Sequence, residues 1–540
     1  MPQLNLTVNN FGGIIAPMPT LDLQPDSLPQ PGDSKIINAS SLRLSLSLPA
    51  KSFYRHGWQS WSLTAWTDPL RELPVMKPTS FHTRQTDPVY ARYPHPNGSW
   101  LGAVELTDGS VAFLGALGLN AHVAVREGNL QGWYESGSGD WFLARGEEVK
   151  LFERYAELLG ERFGRVSLHE HPRVWCSWYS LYNNINENNL SKALAGLGDL
   201  PFDVFQVDDG WQVSTGDWEP NEKFPSGMEA IVAKIKATGR KAGLWLAPLV
   251  VSRNSSIFHN HRDWLLRDLN GKLYVAGFEW STESYALDTT HPDVIAWLKD
   301  LIRKVRGWGF DYLKLDFLSA GAQPGRRRLD IPRETAYRQA LEVIREAAGD
   351  AYLLLCGTPI LPSIGVCDAI RVGADVGNWW DSRFYSYLLY NQTTPGVVNG
   401  MRTSVNRLWL KPLVHVDPDV AFFSESKSLT PEQKRLFLDL TEITGFKATS
   451  DLPDQWTDAQ REDVRRWLES KPRVERTGRY TFRLDGREVD FGPAMPLPPL
   501  PKFFDAIQGE VLGFLGNQFW ALKIWHWLIR YGLSKKDGEK

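Results

Sequence analysis

Cysteine is nearly absent. Three occur in 540 residues, Cys176, Cys356 and Cys367, and an odd number at wide spacing suits neither a disulfide framework nor a zinc site and fits a reducing cytoplasm. Charge bias is missing too: the formal net charge is −3 with acidic and basic residues interspersed, so the basic footprint of a nucleic-acid binder is lacking and no nucleic-acid partner is expected. The start, "MPQLNLTVNNFGG", has no basic segment followed by an apolar run; no secretory signal is expected, with export by another route left open. No repeat of solenoid period recurs along the chain.

What is there is an ordinary globular composition, 42% hydrophobic and 23% charged, with room for two or three domains. Tryptophan stands out, at 23 residues. Aromatic faces stack on the apolar C–H faces of sugars, and indole also donates a hydrogen bond, which raises a carbohydrate reading. Large cores and β-sandwiches use tryptophan as well, so composition alone leaves both readings open.

Up to about residue 165 the chain runs in short alternating segments such as "SLRLSLSLPA", "SVAFLGALGL" and "LNAHVAVREG", cut by Gly, Pro, Asn and Asp. These predict an N-terminal β-sandwich over 1–165. From about 173 the pattern becomes compact apolar strands, each followed by a loop and a helical stretch. The strands are "RVWCSWYS", "FDVFQVDD", "KAGLWLAPL", "YLKLDFL", "YLLLCGT", "AIRVGAD", "LKPLVHVDPD" and "FKATSD", with helices at "SGMEAIVAKIKATG" and "DVIAWLKDLIRKVRGWG". Eight strands with helical connections predict a catalytic (β/α)8 TIM barrel over 166–455. A short, atypical C-terminal region, 456–540, follows.

In such a barrel, catalytic groups sit at the C-terminal ends of the strands. Trp178 and Tyr179 close the first, Asp208 and Asp209 the second, Trp245 the third, Asp316 the fourth, Cys356 the fifth, and Arg371 with Asp375 the sixth. Strand alternation also puts Lys314 on the face of Asp316, opposite Leu313 and Leu315. A buried ion pair is the bland account of Lys314 and Asp316. The convergence of four carboxylates, two cations and several aromatics favours chemistry.

Two carboxylates across a tryptophan-lined pocket suit glycosidic bond cleavage, one attacking the anomeric carbon and the other protonating the leaving oxygen. A nearby cation, Lys314, favours an ionised Asp316, as a nucleophile requires. In "RVGADVGNWWD", Trp379 and Trp380 offer Asp375 the apolar surroundings that raise an acid's pKa, while Arg371 pulls the other way. Asp208 and Asp209 have no histidine in their motif, so hydroxyl recognition is preferred to metal binding, and no cofactor is expected. For either of the pair, capping of the next segment is the alternative. In "HVDPDVAF", Asp417 and Asp419 are expected either to support the site residues from behind or to shape a loop, because Pro418 stiffens the turn.

These motifs resemble a family. "WCSWY", "FQVDDGW", "GLWLAP", "YLKLDFLSAGA", "LLLCGTPILPSIG" and "DAIRVGAD", in that order, are similar to the α-galactosidases of glycoside hydrolase family 36 in their compact bacterial and archaeal form, over about Trp58 to Asp451. The resemblance implies a retaining enzyme with Asp316 as nucleophile and Asp375 as acid/base. It further implies Asp208 and Asp209 on the galactose 4- and 6-hydroxyls, Lys314 and Arg371 on ring hydroxyls, Trp245 and Trp178 lining the sugar pocket, and Cys356 and Tyr179 close by. A tryptophan reaching in from the sandwich is matched in "HGWQSWSL", where Trp61 rather than Trp58 takes the role; a core tryptophan is the alternative. The implied substrate is an oligosaccharide with terminal α-galactose, such as melibiose or raffinose. An α-galactosyltransferase of the raffinose-synthase kind, an α-N-acetylgalactosaminidase and a sugar-binding protein on an inactive barrel remain as alternatives.

The family usually ends in a small β-domain, of which "RYTFRLDGREVDFG" is at most the start. Beyond it, "VLGFLGNQFWALKIWHWLIRYGLSKK" carries Lys523, His526 and Arg530 on one helical stripe, which disfavours a membrane span. A helix docked on protein, with the stripe in water, is expected. An interfacial membrane helix and an unpacked tail are the alternatives, and a homo-oligomer stays open.

Overall fold

The computed structural model describes residues 20–71, 87–91, 93–165, 170–279, 282–381, 395–425 and 428–497. The expected tail helix within 503–540 falls outside them.

The alternating segments at the start form two sheets. One orders Thr20–Leu23, Ser41–Ser45, Asn129–Tyr134, Ala121–Arg126 and Asn97–Ser99; the other orders Ser34–Ala39, Gly139–Gly146, Val111–Ala116, Leu101–Leu106, Ala50–Arg55 and Ala65–Thr67. Ser41–Ser45 follows the two-residue rule, with Leu42 and Leu44 buried and Arg43 exposed. Val111–Ala116 does not, being buried throughout. A helix absent from the sequence reading, Glu148–Phe163, covers it: the Phe152 and Tyr155 rings stand 5.0 and 5.2 Å from Phe113, and the Tyr155 hydroxyl donates to the Ala116 carbonyl at 2.7 Å.

All eight expected barrel strands occur in one parallel sheet: Arg173–Cys176, Val204–Val207, Lys241–Leu246, Tyr312–Leu315, Tyr352–Leu355, Ala369–Arg371, His415–Asp417 and Lys447–Thr449. The first seven are neighbours in sequence order and the eighth lies beside the first. A bridge from Ala421 to Thr449 carries the ladder across the remaining gap, so the sheet curls into a cylinder. The strands are shorter than their motifs, ending before Ser177, Asp208 and Asp316 in the first, second and fourth. The two helices expected from periodicity occur as Met228–Lys236 and Pro292–Trp308. The second is framed by Pro292 in its first turn and by Gly309 at φ 101°, a start and a stop that each suit their residue.

The sandwich is bolted to the barrel at the start of helix Arg333–Ala348. Arg333, buried, pairs with Asp87 and Glu135 at 2.6 Å each. Glu334, also buried, accepts from the indole N–H groups of Trp58 and Trp100 at 2.9 Å each and from the Asn120 amide at 2.5 Å. The C-terminal segment "RYTFRLDGREVDFG" makes a hairpin, Thr481–Leu484 with Arg487–Asp490, turned at Asp485 and Gly486 with φ of 48° and 85°. Arg479 ties it to Glu105 and Glu148 of the sandwich unit, and Arg487 ties it to Asp439 of a barrel helix.

Candidate active site

Parallel register sets the floor of the site. Cys176 is level with Gln206, Trp245 with Lys314, and Arg371 with Asp417, each pair on adjacent strands. Residues at or just past these levels then share the C-terminal mouth of the cylinder.

On one side stands a cluster around Asp208. Its Oδ2 accepts from Lys314 Nζ at 2.8 Å, Gln206 Nε2 at 2.6 Å and Cys176 Sγ at 3.3 Å, and its Oδ1 from the Asp209 amide at 2.9 Å. Asp209 in turn accepts from Gln212 Nε2 at 2.6 Å. Lys314 therefore serves Asp208 where Asp316 was the expected beneficiary. Residues two apart on a strand stand roughly 6.6 Å apart along it, whereas Lys314 reaches Asp208 across the barrel interior, past the intervening strand Lys241–Leu246. Burial opposes the charge on Lys314, but Asp208 outweighs it and holds the ammonium well above its ordinary value.

Asp316 sits one residue beyond its strand. Its amide still donates to the Leu246 carbonyl at 2.8 Å, then the chain turns sharply: Phe317 adopts a left-handed φ of 53°, costly for a bulky side chain. That turn aims the Phe317 N–H at Asp316 Oδ1, 2.7 Å away, while Trp245 Nε1 donates to Oδ2 at 3.2 Å. Gly357, at φ 55°, passes so near that a Cβ there would stand 3.3 Å from Oδ1. Cys356, beside it, is buried.

Across the mouth, Arg371 gathers three carboxylates, reaching Asp417 at 3.0 Å, Asp419 at 2.8 Å and Asp375 at 3.3 Å. Tyr179 donates its hydroxyl to Asp419, which also accepts from the Val376 amide at 2.9 Å. Of the two roles expected for Asp417 and Asp419, support behind the site is the one these contacts fit: they occupy the guanidinium that the sequence pits against the acidity of Asp375. The contest over Asp375 resolves upward. Burial, then the negative charge of Asp419, push its pKa up to about 7 against the pull of Arg371 and Lys314. Its side chain keeps 24% of its surface exposed. Trp379, which donates to the Pro395 carbonyl at 2.9 Å, and Trp380 are half-buried.

Trp178 is half-buried, its ring edge-on to Tyr182 at 5.2 Å. Trp58 and Trp61 differ in burial: Trp58 is fully enclosed and bonded to Glu334, while Trp61 is half-buried. The Ser60 amide donates to the Thr358 carbonyl at 3.0 Å and the Ile360 amide to Trp58 O at 3.1 Å, setting Trp61 beside the exit of the fifth strand. Gln206, Gln212 and Cys176 were missed by the sequence reading. Gln206 had a signal, lying two residues before Asp208 on the same strand face. Among the described residues no group of histidine, cysteine or acidic side chains is arranged to hold a metal ion.

A barrel mouth lined by paired carboxylates, cations and indoles, closed from the side by a sandwich, defines a glycoside hydrolase, and the comparisons place it. The melibiase family model matches residues 147–348, and the chain belongs to this family, the family 36 α-galactosidases. It is similar to the α-galactosidase TtGalA of Thermus thermophilus, solved with p-nitrophenyl α-D-galactopyranoside, at 42% identity and a TM-score of 0.81 over 86% of this chain and 97% of that one. The family 36 α-galactosidase AgaA of Geobacillus stearothermophilus shares the fold at 15% identity and a TM-score of 0.56, over 80% of this chain and 63% of that one. In sequence, AgaA aligns at 27% identity over 36% of this chain and 28% of its own length, so the match to that larger relative is partial.

Proposed function

We propose that the chain is a retaining α-galactosidase that releases terminal α-linked galactose from oligosaccharides such as melibiose or raffinose by double displacement. The observation that carries the reading is the contrast between the two mouth carboxyls. Asp375 holds a proton near neutrality under burial and the charge of Asp419, while Asp316 is met on both oxygens by N–H donors that orient it. The Asp316 carboxylate attacks the anomeric carbon as Asp375 gives its proton to the departing glycosidic oxygen. Asp375, now ionised, takes a proton from water, whose oxygen displaces Asp316 and frees galactose with its anomeric configuration kept.

Asp208 and Asp209 take the 4- and 6-hydroxyls. Asp208 Oδ2 already has three partners while Oδ1 has one, the Asp209 amide, so Oδ1 is the oxygen with acceptor capacity left for a sugar hydroxyl. Lys314 and Arg371 donate to ring hydroxyls, Trp245, Trp178 and Trp61 supply apolar walls, and Tyr179 and Cys356 fill the remaining periphery. The sandwich (1–165) then lends Trp61 to a barrel (166–455) that does the chemistry, with 456–540 as an added C-terminal region. TtGalA, solved with stachyose as well, supports a galactoside of more than one sugar as the substrate class. The three cysteines are buried and unpaired, which supports a reducing, cytoplasmic setting. Proton NMR of aryl α-galactoside cleavage tests the reading: α-galactose as the first product is expected. β-Galactose first overturns retention, and no cleavage at all overturns the function.

A further inference from the structure

Arg407 is fully buried at the end of helix Val397–Asn406, and among the described residues no carboxylate stands within ion-pair reach of it. Its acceptors are backbone carbonyls. Nη1 donates to Ser60 O and Val372 O at 2.8 Å each, and Nη2 to Gly57 O at 2.8 Å, Gln59 O at 3.0 Å and Ser62 O at 3.2 Å. Four of these five belong to the sandwich turn that carries Trp61. The fifth belongs to the residue after Arg371, on the exit that leads to Asp375. A buried charge held only by dipoles is an expensive arrangement, and a guanidinium fork, unlike an ammonium, can serve so many acceptors in one plane.

The helix that ends at Arg407 begins at the acid. The Gly396 amide donates to the Asp375 carbonyl at 2.9 Å, and the helix lies so close to the strand exit that a Cβ on Gly373 would meet Gly400 O at 2.7 Å. One rigid element therefore touches the acid's backbone at one end and the tryptophan's turn at the other.

We propose that Arg407 is a positioning residue that fixes where Trp61 stands relative to Asp375, by gathering the Gly57–Ser62 turn and the sixth-strand exit onto one guanidinium. The inference rests on the proposed roles of Trp61 and Asp375. It acts through those two residues without touching the sugar itself.

The test uses the full chain with Arg407→Lys, which keeps the charge and loses the fork, and Arg407→Gln in parallel, which keeps two donors and removes the charge. Hydrogen exchange of the Ser60 and Ser62 amides should quicken at least about 10-fold in either variant, with barrel-strand amides unchanged, if the turn is released. D-Galactose binding, followed by titration, should weaken about 5- to 20-fold. The double variant with Trp61→Ala should bind no worse than Trp61→Ala alone, because both changes remove the same contact. Unchanged exchange in the turn, or losses that add independently in the double variant, overturns the proposal. Quickened exchange in a parent chain that neither binds galactose nor cleaves α-galactosides overturns the functional reading and leaves the clamp standing.

Discussion

Among single residues, Asp316 and Asp375 make the sharpest claims. Replacing Asp316 by Gly is expected to cut turnover by at least about 10³-fold while the fold persists. Azide should then restore part of it by attacking the anomeric carbon from the vacated side, giving the β-azide; turnover like that of the parent chain would remove Asp316 from the nucleophile role. Asp375 predicts a pH profile. Its pKa is raised to about 7, so the protonated acid is present below that value and lost above it. The ratio kcat/KM should fall tenfold per pH unit on the alkaline side of about 7, and Asp375→Ala should abolish that limb and hurt poor leaving groups most. The sign for stability follows: the folded state keeps this proton between about pH 4 and 7 where the unfolded chain has lost it, so this group's contribution declines as pH rises through that window and is flat above it. The placement of these side chains at the barrel mouth was legible in the sequence, because strand ends in a barrel are where chemistry gathers and Asp208 and Asp316 each close an apolar strand. The pairing of Lys314 with Asp208 was not, since it reaches past the intervening strand Lys241–Leu246 and depends on the closure of the barrel, and neither was the grip of Asp417 and Asp419 on Arg371.

Elements were read unevenly, for physical reasons. Barrel strands announce themselves as compact apolar strings between turns, and all eight lie where expected. Helix Val397–Asn406 does not announce itself: "VVNGMRTSVN" is rich in β-branched residues, Asn and Gly, all poor helix formers. It is helical because every one of its residues is buried, so packing decides where propensity does not. Gly373 and Gly400 permit that packing. Gly373→Ala is expected to push the helix off the strand exit, costing roughly 1–3 kcal/mol as overpacking, and to lower kcat more than KM because the exit leads to Asp375. A melting scan and steady-state kinetics together check this; unchanged Tm and kcat would show that the exit yields without consequence. The helix Glu148–Phe163 was hidden among strand signals for a related reason: it serves as the outer wall of a sheet that otherwise reads as half-buried.

At the level of the whole molecule, the sandwich and barrel are one body because each holds groups the other must satisfy. Glu334→Ala would strand the indole N–H groups of Trp58 and Trp100 and the Asn120 amide, at about 1–3 kcal/mol for each buried donor left unpaired. Denaturant unfolding should show a loss of several kcal/mol, with Glu334→Gln losing less because it retains one acceptor oxygen. A Glu334→Ala chain as stable as the parent would mean that water takes over those donors. The seam also has a consequence in time. Asn120 precedes Glu334 by 214 residues, and Gly57 precedes Arg407 by 350; at about 5–20 residues per second on a ribosome, the waits are roughly 10–40 s and 20–70 s. Throughout that interval the nascent sandwich presents buried-to-be indoles and a ring of carbonyls with no barrel to receive them. Its birth is therefore the moment of greatest exposure, and the speed of translation between the two halves sets how long that exposure lasts.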